Sequence, residues 1–258
     1  MKFCKLFLLL LVFCLLDMTL LAQSEKKIYL GDQAVFKIVK TEEPVVVDGK
    51  MTEAIWAKTE ARNLDNFYRL EVPADKQQTT FRMAWDDENL YVFFHFEDKF
   101  ITAREKNRDG QPYLDDCAEI FIIPVPDSLD THFGFELNLY KASNDFVYFN
   151  NYYNGKDYVL KAFNPGFEVE TSYEGTINNN SDEDESWSLE MAIPFANFYS
   201  MQSLVPVKNG SRWAFLAVRQ DRNELEGNRH STSTIFPIYD ISKGVHQSNH
   251  FGLMQFVE

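Results

Sequence analysis

Five polar residues interrupt apolar segments of this 258-residue chain: Glu119 in CAEIFII, Glu136 and Asn138 in FGFELNLY, Glu190 in WSLEMAI and Arg219 in WAFLAVRQD. Successive side chains of an extended strand point to opposite faces. Phe133, Phe135, Leu137 and Leu139 therefore fall on one side and Glu136, Asn138 and Tyr140 on the other. By the same period Ala118, Ile120 and Ile122 oppose Glu119, while Trp187, Leu189, Met191 and Ile193 oppose Glu190. Arg219 lies opposite Leu216 and Val218. If these strands are neighbours, the five polar groups share one sheet face, with Tyr113, Tyr140, Tyr148 and Tyr152 around it. Planar hydrogen-bonding groups beside aromatic rings suit a ligand with vicinal hydroxyls and a C–H face, which is the chemistry of a carbohydrate. Taken without any resemblance, the same residues better suit a mutually satisfied ion-pair network on the wet face of an antiparallel sheet.

Other chemistries find less support. A glycoside hydrolase needs two carboxylates about 5 to 10 Å apart across the scissile bond, and Glu119 with Glu190 is the available pair. A hydrolase, or a hydrolase-associated protein acting on O-glycosyl compounds, is thus the catalytic alternative. His95, His132, His230, His246 and His250 form no HExxH or other compact zinc spacing. There is no GxSxG, and no glycine-rich phosphate loop for a nucleotide or flavin cofactor. Cys117 reads as a small buried thiol, and Trp56, Trp85, Trp187 and Trp213 read as core.

The elements that position these groups are strands. Segments such as TTFRMAW, LYVFFHFED, FVYFNNYY and FEVETSYEG are rich in aromatic and β-branched residues and are separated by turn clusters such as WDDEN and NPG. Only AIWAK near Trp56 and the stretch after Phe195 look helical. The run Asp182 to Glu185 reads as a solvated hairpin. The start of the chain, MKFCKLFLLLLVFCLLDMTLLAQS, is predicted to be a secretory signal peptide over residues 1–22, leaving 23–258 as one exported domain, secreted or periplasmic, without a transmembrane segment. Cys4 and Cys14 would leave with the leader, so no internal disulfide is expected. The net charge of −14 argues against nucleic acid and anionic lipid as partners, and leaves neutral sugars and divalent cations compatible.

Five segments in order, VDGKMTEAIW (47–56), WDDENLYVFFHFED (85–98), YLDDCAEIFIIP (113–124), WSLEMAIPF (187–195) and HQSNHFGLMQF (246–256), resemble family-9 carbohydrate-binding modules. The resemblance implies an all-β sandwich of two antiparallel sheets, jelly-roll or immunoglobulin-like, with one or two short helices and often structural calcium. It implies a non-catalytic protein of carbohydrate catabolism that binds mono- or oligosaccharides from plant-type polysaccharides, beside polysaccharide-degrading enzymes. Glu119 carries over as the acidic sugar-binding residue, Tyr113 as a stacking ring, and Glu136 and Asn138 as polar groups of a neighbouring strand. Arg219 joins them as a further hydrogen-bonding candidate. Where sugar-binding members carry a tryptophan before the last strand, this chain has Val245 and His246. His246 or Tyr239 then serves as second ring, or one ring suffices, or binding has been lost. Asp86, Asp87, Asp115 and Asp116 are candidate calcium donors, with no choice among them open to the sequence. The sandwich also resembles haem-binding electron-transfer domains, for which Met83 and His95 are the candidate ligands. A scaffold that docks another exported protein is the last alternative.

Overall fold

The computed structural model describes residues 33–68, 72–126, 131–198, 206–226 and 231–258. The leader assigned to residues 1–22 lies outside them. Among the described residues, fourteen strands carry the fold. They are β1 (Val35–Lys40), β2 (Arg62–Asn63), β3 (Asn66–Phe67), β4 (Thr79–Trp85), β5 (Asn89–Glu97), β6 (Cys117–Ile123), β7 (Thr131–Asn138), β8 (Ser143–Tyr153), β9 (Lys156–Leu160), β10 (Glu168–Glu174), β11 (Ser186–Pro194), β12 (Arg212–Asp221), β13 (Ser231–Thr234) and β14 (Gly252–Val257). The helical expectations are met by α1 (Ala54–Lys58) and by a 3-10 turn at Phe195–Phe198.

One hydrogen-bonded path runs β10-β11-β5-β4-β1-β14-β12-β6-β7-β8-β9, with β4 and β12 meeting face to face across the core as two layers of a sandwich. The layers are not purely antiparallel, because β1 lies parallel to both neighbours, to β14 over Val35–Val39 and to β4 at Val39 and Lys40. Trp85 secures this seam, its indole N–H reaching the carbonyls of Ile38 and Val257 at 3.1 Å each.

The alternating apolar residues read from the sequence meet between the layers. Phe81 of β4 and Phe215 of β12 bring the two sheets into contact with ring centroids 5.9 Å apart, and Trp187 stacks on Phe96 at 4.0 Å. All four tryptophans are buried, as expected, and so is the free thiol of Cys117. Each such ring contributes about 2 kcal/mol by leaving water, so a core of this content needs no disulfide.

A second, smaller cluster covers the outer face of the β4–β5–β11 layer. Ile55 and Trp56 of α1 sit there on Ala84, Tyr91, Phe93 and Ala192. The VDG segment that leads into α1 depends on Gly49, which adopts φ +77 and passes so close to Thr171 that a Cβ would meet its backbone. That crossing brings two segments far apart in sequence, VDGKMTEAIW and WSLEMAIPF, into one contact.

Candidate functional site on the outer face of the second layer

Strand register decides which polar residues converge. Glu119 of β6 stands directly opposite Glu136 of β7 and, on its other side, Val218 of β12; Glu136 stands opposite Asn144 of β8. These positions lie on the outer face of the β14–β12–β6–β7–β8–β9 layer. Directly opposed residues in an antiparallel pair have Cβ atoms roughly 5 Å apart, so the two carboxylates form one centre. Each is oriented by a side-chain amide. Gln220 donates to Glu119 Oε1 at 2.7 Å while its own carbonyl accepts from the Thr232 hydroxyl at 2.7 Å, and Asn144 donates to Glu136 Oε2 at 2.6 Å. The centre is deeply set, with Glu119 only 1% exposed.

An aromatic wall rises beside it. Tyr148 of β8 stacks on His132 of β7 at 4.9 Å and on His246 at 4.5 Å, and His246 packs against Phe121 of β6 at 4.7 Å. The two imidazoles share a hydrogen bond, His132 Nε2 to His246 Nδ1, of 3.1 Å. Burial holds His132 well below the ordinary histidine range and pushes His246 down to about 4. Both rings are therefore neutral near pH 7; His132 is fully enclosed beneath Tyr148, while His246 and Tyr148 are partly exposed. Gly134, between His132 and Glu136, makes room for this wall, since a Cβ there would enter the ring of Phe146.

Tyr113 sits half-buried on a 3-10 turn (Pro112–Leu114) that packs on β6 and β7 at the Cys117–Asn138 end of the same strands. Asn138 holds that region in place. Its amide donates to Asp115 Oδ2 and to the Glu105 carbonyl, both at 2.9 Å, and its carbonyl accepts from Ala142 N at 3.1 Å. It thus supports the Tyr113 loop, with its polar atoms spent on its own chain. Asp115 is the centre of the loop, accepting from the backbone of Arg104 and Glu105 and from the Arg104 guanidinium at 2.9 Å.

Arg219 is not part of the centre. Its neighbours Val218 and Gln220 point to the Glu119 face, so Arg219 points inward, fully buried, and pairs with Asp98 and Asp221 at 3.1 Å each. The expected common face fails here because β12 is apolar and buried on both sides, which hides its orientation from the sequence. Asp116 joins this internal cluster, the carboxylate oxygens of Asp98, Asp116 and Asp221 lying within 4.8 Å of one another. Burial pushes Asp98 up to about 6 against the pull of Arg219, and drives Asp116 well above the usual carboxylate range.

In this cluster both oxygens of each carboxylate accept from protein donors: Phe100 N and Arg219 for Asp98, Thr102 N and Arg222 N for Asp116, Arg219 and the Ser231 hydroxyl for Asp221. The guanidinium supplies the positive charge. Asp86 and Asp87 are remote from this cluster, in the β4–β5 hairpin, where Asp86 accepts from Glu88 N, Asn89 N and the Tyr91 hydroxyl and Asp87 pairs with Lys40. The acidic residues expected as possible donors thus lie in two separate places, Asp86 and Asp87 in one and Asp115 and Asp116 in the other.

Glu190 lies on the outer face of the other layer. It accepts from Asp48 N at 2.9 Å, from Gly49 N at 3.0 Å and from the Trp56 indole at 3.0 Å, and burial pushes it up to about 7. Sheets of a sandwich lie roughly 10 Å apart, and Glu119 and Glu190 point away from each other across that thickness, so they cannot flank one glycosidic bond. Nor can Met83 and His95 share an iron. Met83 faces the core, whereas His95 projects from the outer face of its layer, bonded to the Ser188 hydroxyl at 2.9 Å. A concavity of about 300 Å³ also lies on this layer, between Val45, Tyr91, Phe167 and Ala192. The Tyr91 hydroxyl at its rim is committed to Asp86 at 2.7 Å. Tyr239, the other candidate ring, is exposed, with its backbone N–H on His250.

Gln220, Asn144, Thr232 and His132 were not singled out by sequence reasoning. Only Gln220 left a signal, as the neighbour of Arg219 on the opposite face of the same strand.

Known proteins agree with this architecture. The chain is similar to a candidate carbohydrate-binding protein of Bacteroides uniformis, with a TM-score of 0.67 at 17% identity, covering 87% of this chain and all of that one. It is also similar to a family-9 module of Caldicellulosiruptor kristjanssonii solved with cellotriose, with a TM-score of 0.55 at 19% identity over 87% of this chain and 94% of that one. A curated relative, the exoglucanase XynX of Acetivibrio thermocellus, is 26% identical over 155 residues, 58% of this chain, which spans only 13% of that enzyme's length. Residues 47–258 match the family described as "Carbohydrate family 9 binding domain-like", and the chain therefore belongs to the family-9 carbohydrate-binding modules, which bind rather than cleave.

Proposed function

We propose that the Glu119–Glu136 centre binds neutral mono- or oligosaccharides of plant-type polysaccharides, and that the protein serves an exported polysaccharide-degrading system. The observation that carries this reading is the pairing of two buried, amide-oriented carboxylates with a wall of neutral, parallel rings on one rigid sheet face. Carboxylates accept from vicinal hydroxyls, and flat rings cover the C–H face of a pyranose. A net charge of −14 selects against anionic glycans. The neighbouring structure with cellotriose supports a β-linked glucose ligand. Export rests on the leader, and association with degrading enzymes on the enzyme-borne relative.

Isothermal titration with glucose, xylose, cellobiose and xylobiose, each repeated after reduction of the reducing end, tests the reading. Binding that disappears on reduction identifies chain-end recognition, and binding that survives it identifies recognition along the chain. No heat with any sugar, in a protein that melts cooperatively, would reject carbohydrate recognition at this face.

A further inference from the structure

The two imidazoles of the aromatic wall leave little freedom for their protons. His132 Nε2 and His246 Nδ1 share a single hydrogen bond of 3.1 Å, the rings lie 10° from parallel, and Tyr148 stacks across both. His132 is buried among Phe121, Phe146 and Phe251, and its Nδ1 is buried without a hydrogen-bond partner. An orphaned buried N–H is rarer than an orphaned buried acceptor. The hydrogen-bond network therefore assigns the shared proton to His132 Nε2, which donates to His246 Nδ1 and leaves a bare lone pair on its own Nδ1. A neutral His246 then carries its proton at Nε2.

One more proton has no good place in this arrangement. On His132 it would sit at Nδ1 and put a full charge into an apolar pocket. On His246 it would sit at Nδ1 and face the His132 Nε2–H, setting two donors where the bond needs a donor and an acceptor. Among the described residues, Asp157, which accepts from the Tyr148 hydroxyl at 2.7 Å, is the carboxylate whose charge acts on the pair, and it favours a cation on His246. The two rings also differ in how they are held. His132 and Tyr148 are fixed in β7 and β8, whereas His246 is partly exposed and lies in the loop between β13 and β14.

We propose that His132 and His246 form an acid-sensitive catch, in which a proton added to the pair drives His246 out of the wall and removes its ring from beside the Glu119–Glu136 centre. The wall is then complete only while both imidazoles are neutral, and acid weakens the grip of the site by taking away a stacking partner of Tyr148. Weakened glycan binding rests on the carbohydrate reading; the opening of the wall does not.

Nuclear magnetic resonance of the imidazole nitrogens in the full chain, followed from pH 7 to pH 4, tests the proposal without any variant. The expected result is that both rings are protonated at Nε2 at pH 7. Towards pH 4 His246 gains a proton and its contacts with Tyr148 and His132 are lost, while far-UV circular dichroism stays constant. A proton on His132 Nδ1 at pH 7 overturns the proposal, and so does a charged His246 with its contacts intact. His246→Phe, whose ring cannot take the proton, should keep its contact with Tyr148 down to pH 4; loss of that contact in step with the parent also overturns it. Titration with cellobiose reads the consequence for binding. Relative to each protein's own affinity at pH 7, the parent should fall about twofold further than His246→Phe by pH 4, where half of its molecules carry the extra proton. Equal falls would overturn the regulatory role and assign the pH effect to the carboxylates. No sugar binding by the parent at pH 7 would reject the carbohydrate reading, and the spectra alone would still decide whether the wall opens.

Discussion

The two outer faces of the sandwich each bury carboxylates that sit at alternate positions of apolar strands, and in sequence they look alike. Glu190 on one face is closed over by its own chain: two backbone N–H groups and an indole N–H converge on it, and Trp56 seals it from above. Glu119 and Glu136 on the other are gripped from within the sheet by Gln220 and Asn144, beside a wall of stacked rings. The donors make the difference. Backbone donors from a crossing segment turn a carboxylate into a latch for that segment, whereas side-chain amides of adjacent strands orient it within the sheet. A buried acid is informative about function only once its donors are known.

The strongest way to break this comparison is to remove the latch. Glu190→Ala leaves three donors without an acceptor and should destabilise the fold by about 3 to 5 kcal/mol, read from urea denaturation. Glycan affinity of the folded fraction should stay within error, and a parallel loss of affinity would mean that the two faces are coupled. Arg219→Leu should act similarly, because it strands Asp98 and Asp221 in the interior. A Glu119→Gln substitution should do the reverse, lowering affinity roughly tenfold, about 1.4 kcal/mol in titration, with little change in melting temperature.

The faces should also differ in the sign of their pH dependence. Glu190 titrates at about 7 in the fold against 4.5 for an unburied glutamate, so the folded chain binds the extra proton between these values. Its contribution is full below pH 4.5 and is lost as pH rises through about 7. His246 titrates at about 4 against 6.5, so its contribution is full above pH 6.5 and is lost as pH falls towards 4. Glu190→Gln and His246→Phe should therefore tilt the pH profile of stability in opposite directions, and tilts of the same sign would sink the assignment. The smallest effect expected is on stacking. His246→Ala should weaken glycan binding by about 1 kcal/mol, while His246→Phe, which keeps a flat ring, should retain most of it.

Much of this architecture was legible beforehand because period two is a local property. Alternation in β6, β7 and β11 placed Glu119, Glu136 and Glu190 away from the core correctly, and the short helix at AIWAK appeared where its composition suggested. Alternation could not say which of two outer faces a strand belongs to, so Glu190 was grouped with Glu119 although they lie on opposite sides of the molecule. It also misjudged Arg219, since Leu216 and Val218 are apolar yet lie on the outer face with Glu119. Asn138 read as a ligand group because its position is right, and only its three bonds reveal a support for the loop of Tyr113.

By itself the sequence determined the class of the fold, its strands, its aromatic core and its acidic surface, because hydrophobic period, turn chemistry and charge act over a few residues and need no knowledge of partners. The tertiary structure alone decided that Glu119 meets Glu136, that Arg219 answers three buried aspartates, and that His132, Tyr148 and His246 stack into one wall. Some of those contacts join neighbouring strands, as Glu119 with Glu136 and His132 with Tyr148, and others join distant segments, as Arg219 with Asp98 and His132 with His246. They depend on register across a ladder and on which layer each strand enters, and both are properties of the assembled sheet.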